Sequence, residues 1–119
     1  MSNDTYVSFY LSASKIHVYK KAITEIGNPR FVRFLMKEDG QSMIMESYHK
    51  KDFLSHRVPK PNPDKPWRLE ISSMALCSLL KNRLNWEDGI SYRIPGKIYG
   101  GQHLVVFDLS SAKQIPRGT

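Results

Sequence analysis

Lysine and arginine are the residue types whose number and spacing suggest a chemistry for this chain. They total 18 against 11 aspartates and glutamates, so the 119-residue sequence carries a formal net charge of +7. Such an excess favours an anionic partner, because cationic side chains neutralise phosphates and carboxylates. Nucleic acid (DNA) is the first candidate and an acidic protein partner is the second. A surface whose charge serves only solubility is the third interpretation.

The cations gather around two similar strands and in a proline-rich segment between them. Arg33 and Arg93 take matching strand positions. If both face outward, they present the pair of guanidinium forks that a pseudo-palindromic duplex site requires. Tyr48, Phe53 and Trp67 lie near the cations of the middle segment and would allow base stacking. The predicted nucleic-acid-binding residues are Lys20, Lys21, Arg30, Arg33, Lys50, Lys51, Arg57, Lys60, Arg93 and Lys97.

Other chemistries lack the residue patterns that they need. The acids are scattered rather than paired on one predicted face, and there is no glycine-rich phosphate loop and no glycine-flanked nucleophilic serine. The four histidines do not have metal-ligand spacing, and the single cysteine, Cys77, falls on the apolar side of a predicted helix. We therefore predict no catalytic residue, no metal site and no cofactor, and a protein that is not an enzyme.

Two further features bear on location. No run approaches the roughly 18 apolar residues of a membrane span. The N-terminal residues Met-Ser-Asn-Asp-Thr do not form the basic region and apolar core of a signal peptide. We therefore expect a cytoplasmic protein with no membrane partner.

The elements that must position the cations occur in two similar copies. Residues 16–26 and 69–79 place apolar residues at the same steps, and each stretch is followed by two strand-like runs. Apolar periodicity predicts strands at 6–11, 15–18, 30–36, 42–47, 67–72, 90–94, 97–99 and 103–109, and helices at 19–26 and 74–84. The sequence thus predicts an α+β fold: two strand–helix–β-hairpin repeats packed as one pseudo-two-fold, mainly antiparallel β domain.

The two copies divide the chain into a first repeat at 6–47, a linker at 48–66 and a second repeat at 67–109, within a single domain at 1–119. Two halves of about 50 residues would be marginally stable alone, so shared packing is expected. The linker is basic and contains Pro59, Pro61, Pro63 and Pro66, which cannot donate ladder hydrogen bonds. The tail from Ser110 is polar and is assigned no element.

The first repeat resembles the AbrB/MazE/SpoVT swapped-hairpin family. Val18, Ala22, Ile26 and Gly27 match the apolar and glycine positions of its strand, short helix and hairpin, whereas Tyr19 stands where the family has proline. The resemblance implies a DNA-binding domain that interleaves two hairpins, usually as a homodimer and here as a tandem, pseudo-dimeric copy. The chain is also similar to small basic proteins of unknown function from bacteria and their mobile elements.

Three functions follow from these patterns. The first is a small non-enzymatic bacterial nucleic-acid-binding protein that acts as a transcriptional regulator. The alternative is a protein-interaction module or mobile-element factor that binds another protein. The third is a scaffold similar to a processivity clamp, which would use its sheets rather than its charges and form rings or higher oligomers.

Overall fold

Antiparallel strands and two helices make up residues 3–116, the part of the chain that the computed structural model describes. All strands belong to one sheet, which curves into a nearly closed barrel. The strands are β1 (Asp4–Tyr10), β2 (Lys15–Tyr19), β3 (Phe31–Met36), β4 (Ser42–Tyr48), β5 (Ser55–Arg57), β6 (Arg68–Ser72), β7 (Ser91–Tyr99), β8 (Leu104–Asp108) and β9 (Lys113–Ile115), and the helices are α1 (Lys20–Glu25) and α2 (Met74–Leu84). The strand order is β5-β3-β4-β8-β7-β1-β2-β6, and β9 pairs with β7.

The inner face of the barrel is apolar because side chains alternate between the two faces of each strand. On β1, Val7 and Phe9 are fully buried, whereas Tyr6 is 42% exposed. Buried apolar residues of β1 to β4, of β6 to β8 and of both helices form one continuous cluster. The outward positions of the same strands therefore remain available for polar and functional side chains.

Helix α2 begins and ends at the residues that its sequence predicts. The Ser73 side chain accepts a hydrogen bond from the Leu76 backbone N–H at 3.1 Å, an N-cap that typically contributes about 1 kcal/mol. Asn85 ends the helix in the left-handed region at φ 56°. Leu76 and Leu80 face the core. The predicted helix at 74–84 is confirmed.

Three strand pairs, β4·β8, β2·β6 and β1·β7, join the two halves of the chain. In β4·β8 the central pair is Ile44 opposite Val106, and in β2·β6 it is His17 opposite Glu70. β1 pairs with β7, and β5 pairs with β3. Strands of the first half thus lie next to strands of the second half on both sides of the barrel.

Two strands occur where none is predicted. The segment at 48–66, predicted to be a linker, contains β5, which extends the sheet beyond β3. The tail, to which the sequence assigns no element, contains β9, whose Lys113 lies opposite Arg93. Each strand has three residues, which is too few for an apolar alternation to be visible.

Strand β7 is continuous through Pro95, which corrects the two separate strands predicted at 90–94 and 97–99. β7 pairs with β9 at Ser91–Arg93 and with β8 at Gly96–Tyr99. Pro95 falls between these two ladders, so its missing N–H group removes no bond from either of them.

Neither helix within residues 3–116 is long and apolar enough to cross a membrane.

Candidate nucleic-acid interface

One outer face of the barrel combines cations with tyrosines. Strand β1 directs Tyr6, Ser8 and Tyr10 outward, because Val7 and Phe9 between them point into the core. The neighbouring strands place their own outward side chains beside these three. The tyrosine face is this set of outward side chains on β9, β7, β1, β2 and β6: Lys113, Arg93, Pro95, Lys97, Tyr6, Ser8, Tyr10, Lys15, His17, Tyr19, Arg68 and Glu70.

A single row of cross-strand partners runs through the middle of the tyrosine face. Each residue lies directly opposite the next on the adjacent strand, so all five side chains share one face. Strands are about 4.8 Å apart, and the row therefore spans about 19 Å. In order, its members are Lys113, Arg93, Ser8, His17 and Glu70.

Two carboxylates neutralise only part of this charge. Asp4 forms an ion pair with Lys97 at 3.1 Å. Glu70 accepts a hydrogen bond from His17 Nε2 at 2.9 Å and lies 3.7 Å from Lys15 Nζ. The hydrogen bond from His17 lowers the pKa of Glu70, so this carboxylate is ionised at neutral pH.

Arg93 and Lys113 form no ion pair with any carboxylate of residues 3–116. Both are exposed and lie directly opposite each other in the β7·β9 ladder. The Arg93 guanidinium lies 5.7 Å from the centre of the Tyr6 ring. Positive charge is therefore concentrated at this end of the tyrosine face.

The same end contains a cleft of about 560 Å³. This volume falls within the range of small-ligand pockets. Tyr6 and Pro95 also line an adjoining cavity of about 360 Å³ that reaches Lys97, so the two form one groove along β7. The lining residues of the cleft are Tyr6, Arg93, Pro95, Ser111, Lys113, Gln114, Ile115 and Pro116.

Arg33 does not match Arg93, which corrects the expectation of two equivalent outward guanidinium forks. Its Nε and Nη2 atoms donate to one carboxylate oxygen of Glu46, at 3.0 and 2.5 Å. The guanidinium also lies 4.5 Å from the centre of the Tyr48 ring. Arg33 is thus held in a cross-strand ion pair, whereas Arg93 is exposed.

The other predicted cations are spread around the barrel rather than gathered on one face. Lys97 shares the outward side of β7 with Arg93, and Lys20 and Lys60 line one cavity of about 180 Å³ between α1 and the proline-rich segment. The remaining predicted residues are exposed at separate places: Lys21 on α1, Arg30 before β3, Lys50 and Lys51 after β4, and Arg57 on β5.

Sequence reasoning missed Lys113 and the tyrosines of this face. The stacking candidates from the sequence are Tyr48, which instead contacts Arg33, and the exposed Phe53 and Trp67. The sequence nevertheless contains a signal. Tyr6 and Tyr10 alternate with apolar residues along the strand, so they fall on the face opposite the apolar one. Lys113 gave no signal because it belongs to a three-residue strand.

His17 lies at the centre of the tyrosine face and is largely covered, with 14% of its side chain exposed. Its Nε2 carries the proton donated to Glu70, because a carboxylate only accepts. Its Nδ1 atom is buried and has no partner within residues 3–116. Burial lowers the pKa of His17 despite the opposing Glu70 contact, and burial also lowers the pKa of His56.

We expect the free energy of unfolding to fall as the pH is lowered from 7 towards 5. The unfolded chain binds protons at histidines near the ordinary pKa of 6.5, whereas folded His17 and His56 bind them only at lower pH. Protonation of the two histidines therefore favours the unfolded state. Their stabilising contribution to the unfolding free energy is fully present above pH 6.5 and is lost as the pH falls. Urea unfolding of wild type and of the His17→Gln/His56→Gln variant at several pH values measures it.

In the double variant, the unfolding free energy should depend much less on pH between pH 5 and 7. His49→Gln, at an exposed position, is the control for removing an imidazole. An unfolding free energy of the wild type that is constant across this range would contradict the expectation.

Within residues 3–116, no group of three or more histidine, cysteine, aspartate or glutamate side chains could hold a metal ion.

The fold and the surface together define a nearly closed antiparallel β-barrel with a cationic, tyrosine-bearing face. No protein-family model, curated protein or solved structure matches the chain. The function is therefore inferred from the side chains of this surface.

Proposed function

We propose that this is a small non-enzymatic protein that binds nucleic acid through the tyrosine face. The observation that carries the proposal is the pairing of Arg93 with Lys113 across β7·β9, without a carboxylate of residues 3–116 to neutralise either. Like charges directly opposite each other destabilise a sheet. A phosphate between them removes that cost and gains two charge-assisted hydrogen bonds.

The remaining cations of the tyrosine face extend the contact. Lys15, Lys97 and Arg68 lie on the same side of the sheet, and binding to phosphates releases the counterions that surround nucleic acid. With about five phosphate contacts, affinity should fall on the order of 100-fold between about 50 and 200 mM salt.

Fluorescence polarisation with labelled DNA and RNA, over that salt range, tests the proposal. We expect Arg93→Ala/Lys113→Ala to bind about tenfold or more weakly at low salt and to show a salt slope smaller by about 1.5. Lys37→Ala/Arg83→Ala is the matched control, because both residues are exposed cations outside the tyrosine face and the change in net charge is the same. The control should bind within about twofold of wild type.

Equal weakening of the two double variants would show attraction to net charge alone and would contradict a site on the tyrosine face. Absence of binding by the wild type at low salt would contradict the function itself.

The two-repeat architecture and the regulatory role belong to the same proposal. In support of it, exchanging β1 with β5, β2 with β6, β3 with β7 and β4 with β8 turns the β1·β7 pairing into β5·β3. The same exchange leaves the β4·β8 and β2·β6 pairings unchanged. A pseudo-two-fold protein of this kind fits an AbrB-like transcriptional regulator that acts in the cytoplasm.

A second candidate function, binding of another protein or of a second copy, is favoured by an apolar strip that adjoins the tyrosine face where Val106 lies opposite Lys97. Leu35, Ile44, Val106 and Leu104 are half-buried and point away from the core on β3, β4 and β8. Strips of this kind often mark interfaces. Light scattering of the wild-type protein beside Val106→Lys would reveal an interface between copies as a loss of mass in the variant.

A further inference from the structure

We infer that the cleft at Tyr6, Arg93 and Lys113 is a subsite for one unpaired nucleotide, so that the tyrosine face prefers single-stranded nucleic acid to a duplex. This inference rests on the proposed nucleic-acid binding by the tyrosine face and adds to it the form of the ligand. It does not depend on the AbrB-like regulatory role, which would require a duplex site. It assigns the phosphate and the base of the nucleotide to different walls of the cleft.

The cationic wall suits a phosphate. Arg93 and Lys113 are direct cross-strand partners, which places their Cβ atoms about 5 Å apart. Their long side chains can therefore converge on one anion. An arginine fork binds two phosphate oxygens at once, and a lysine supplies a point charge beside it.

The aromatic wall suits a base. Tyr6 is 42% exposed and lies opposite Pro95, with the Arg93 guanidinium 5.7 Å from its ring centre. A tyrosine ring and a planar guanidinium are the surfaces on which unpaired bases stack, and stacking accepts any base. Ser111 lines the same cleft; its hydroxyl donates to Asp108 Oδ2 at 2.8 Å and can accept a hydrogen bond from the edge of the stacked base.

The groove continues beyond this subsite, which leaves space for the rest of a strand. The adjoining cavity extends past Tyr6 to Lys97, whose positive charge is paired with Asp4. Asp4 and Asp108 also line it, so this part of the groove carries both signs. Phosphate affinity is accordingly concentrated at Arg93 and Lys113.

A duplex cannot use the aromatic wall, because its bases are stacked on one another and paired inside the helix. It can still contact the cations through its phosphates. Removal of Tyr6 should therefore weaken binding of a single strand and leave binding of a duplex nearly unchanged.

Fluorescence polarisation at low salt with four ligands tests this difference: a single strand, the matching duplex, an abasic strand of the same length and free nucleoside monophosphate. We expect Tyr6→Ala to bind the single strand roughly 5- to 150-fold more weakly, the effect of losing one stacked base. It should bind the duplex and the abasic strand as wild type does. Tyr6→Phe should retain wild-type affinity for all four ligands.

Tyr99→Ala is the matched control, since Tyr99 is an equally exposed tyrosine on the same strand as Arg93. It lies six residues farther along β7, about 20 Å from Arg93. Wild-type single-strand affinity in Tyr99→Ala, with loss in Tyr6→Ala, supports the subsite.

Equal affinity of the wild-type protein for the single strand, the duplex and the abasic strand would overturn this inference while leaving nucleic-acid binding intact. So would a Tyr6→Ala variant with wild-type affinity for the single strand. Tight binding of the free monophosphate, with no gain for the strand, would assign the cleft to small nucleotides and overturn the strand assignment. If no ligand binds, the proposed function itself fails.

Discussion

Trp86→Ala should lower the free energy of unfolding by about 3–5 kcal/mol, the usual cost of emptying a buried tryptophan site. Trp86 is 8% exposed and stacks on Tyr92 with the ring centres 4.3 Å apart and the planes 5° apart. Its ring also lies 5.8 Å from the Phe9 ring. The side chain thus joins the loop after α2 to β7 and β1 at once.

The destabilisation caused by Trp86→Ala should affect the candidate interface as well as the core. Phe9 is the inward neighbour of Tyr10 and Ser8 on β1, and Tyr92 is the inward neighbour of Arg93 on β7. The three buried rings therefore pack directly beneath the two paired strands whose outward residues form part of the cleft. A domain of this size is stable by about 5–15 kcal/mol, so the variant retains only part of its stability.

Urea unfolding followed by circular dichroism measures this change. Trp67→Ala is the matched control, because Trp67 is 56% exposed and its removal should change the unfolding free energy by no more than about 0.5 kcal/mol. A Trp86→Ala variant as stable as Trp67→Ala would show that the stacked rings contribute nothing to the fold.

The fold could be predicted from the sequence wherever an element is long enough to show its period. Helix α2 has a capping serine, apolar residues at helical spacing and an asparagine whose backbone adopts the left-handed conformation at its end. The sequence predicts both of its end residues correctly. Strands β5 and β9 have three residues each and form by pairing with β3 and β7. The local sequence pattern does not show that these partner strands are available. Pro95 suggested a break, yet tertiary pairing places it where its missing donor is not needed.

The candidate site was harder to predict, because a cation's role depends on what lies across the strand. Arg33 and Arg93 look equivalent in the sequence. Cross-strand partners separate them: Glu46 neutralises Arg33, whereas Lys113 adds a second positive charge beside Arg93. The partner of a residue on a distant strand is a property of register, which only the assembled sheet fixes.

Gly96→Val should lower the free energy of unfolding by about 3 kcal/mol, the upper end of the usual cost of overpacking a core. Gly96 lies directly opposite Phe107 in the β7·β8 ladder. A Cβ atom at position 96 would lie 2.5 Å from Phe107 Cδ1 and 3.0 Å from the Val106 carbonyl oxygen. Phe107 is 1% exposed in a close-packed core, so either the ring or the strand must shift to relieve the contact.

A double-mutant cycle identifies this clash as the cause. In the Phe107→Ala background the Gly96→Val substitution should cost much less, because the added side chain then fills space that the ring vacates. Gly101→Val is the matched control, since a Cβ atom there meets nothing within 4 Å. Equal losses in Gly96→Val and Gly101→Val, or additive losses in the cycle, would mean that Gly96 is not required to make room for Phe107. Since Gly96 also lines the groove beside Tyr6 and Lys97, the close Gly96–Phe107 contact fixes the position of one wall of the proposed binding face.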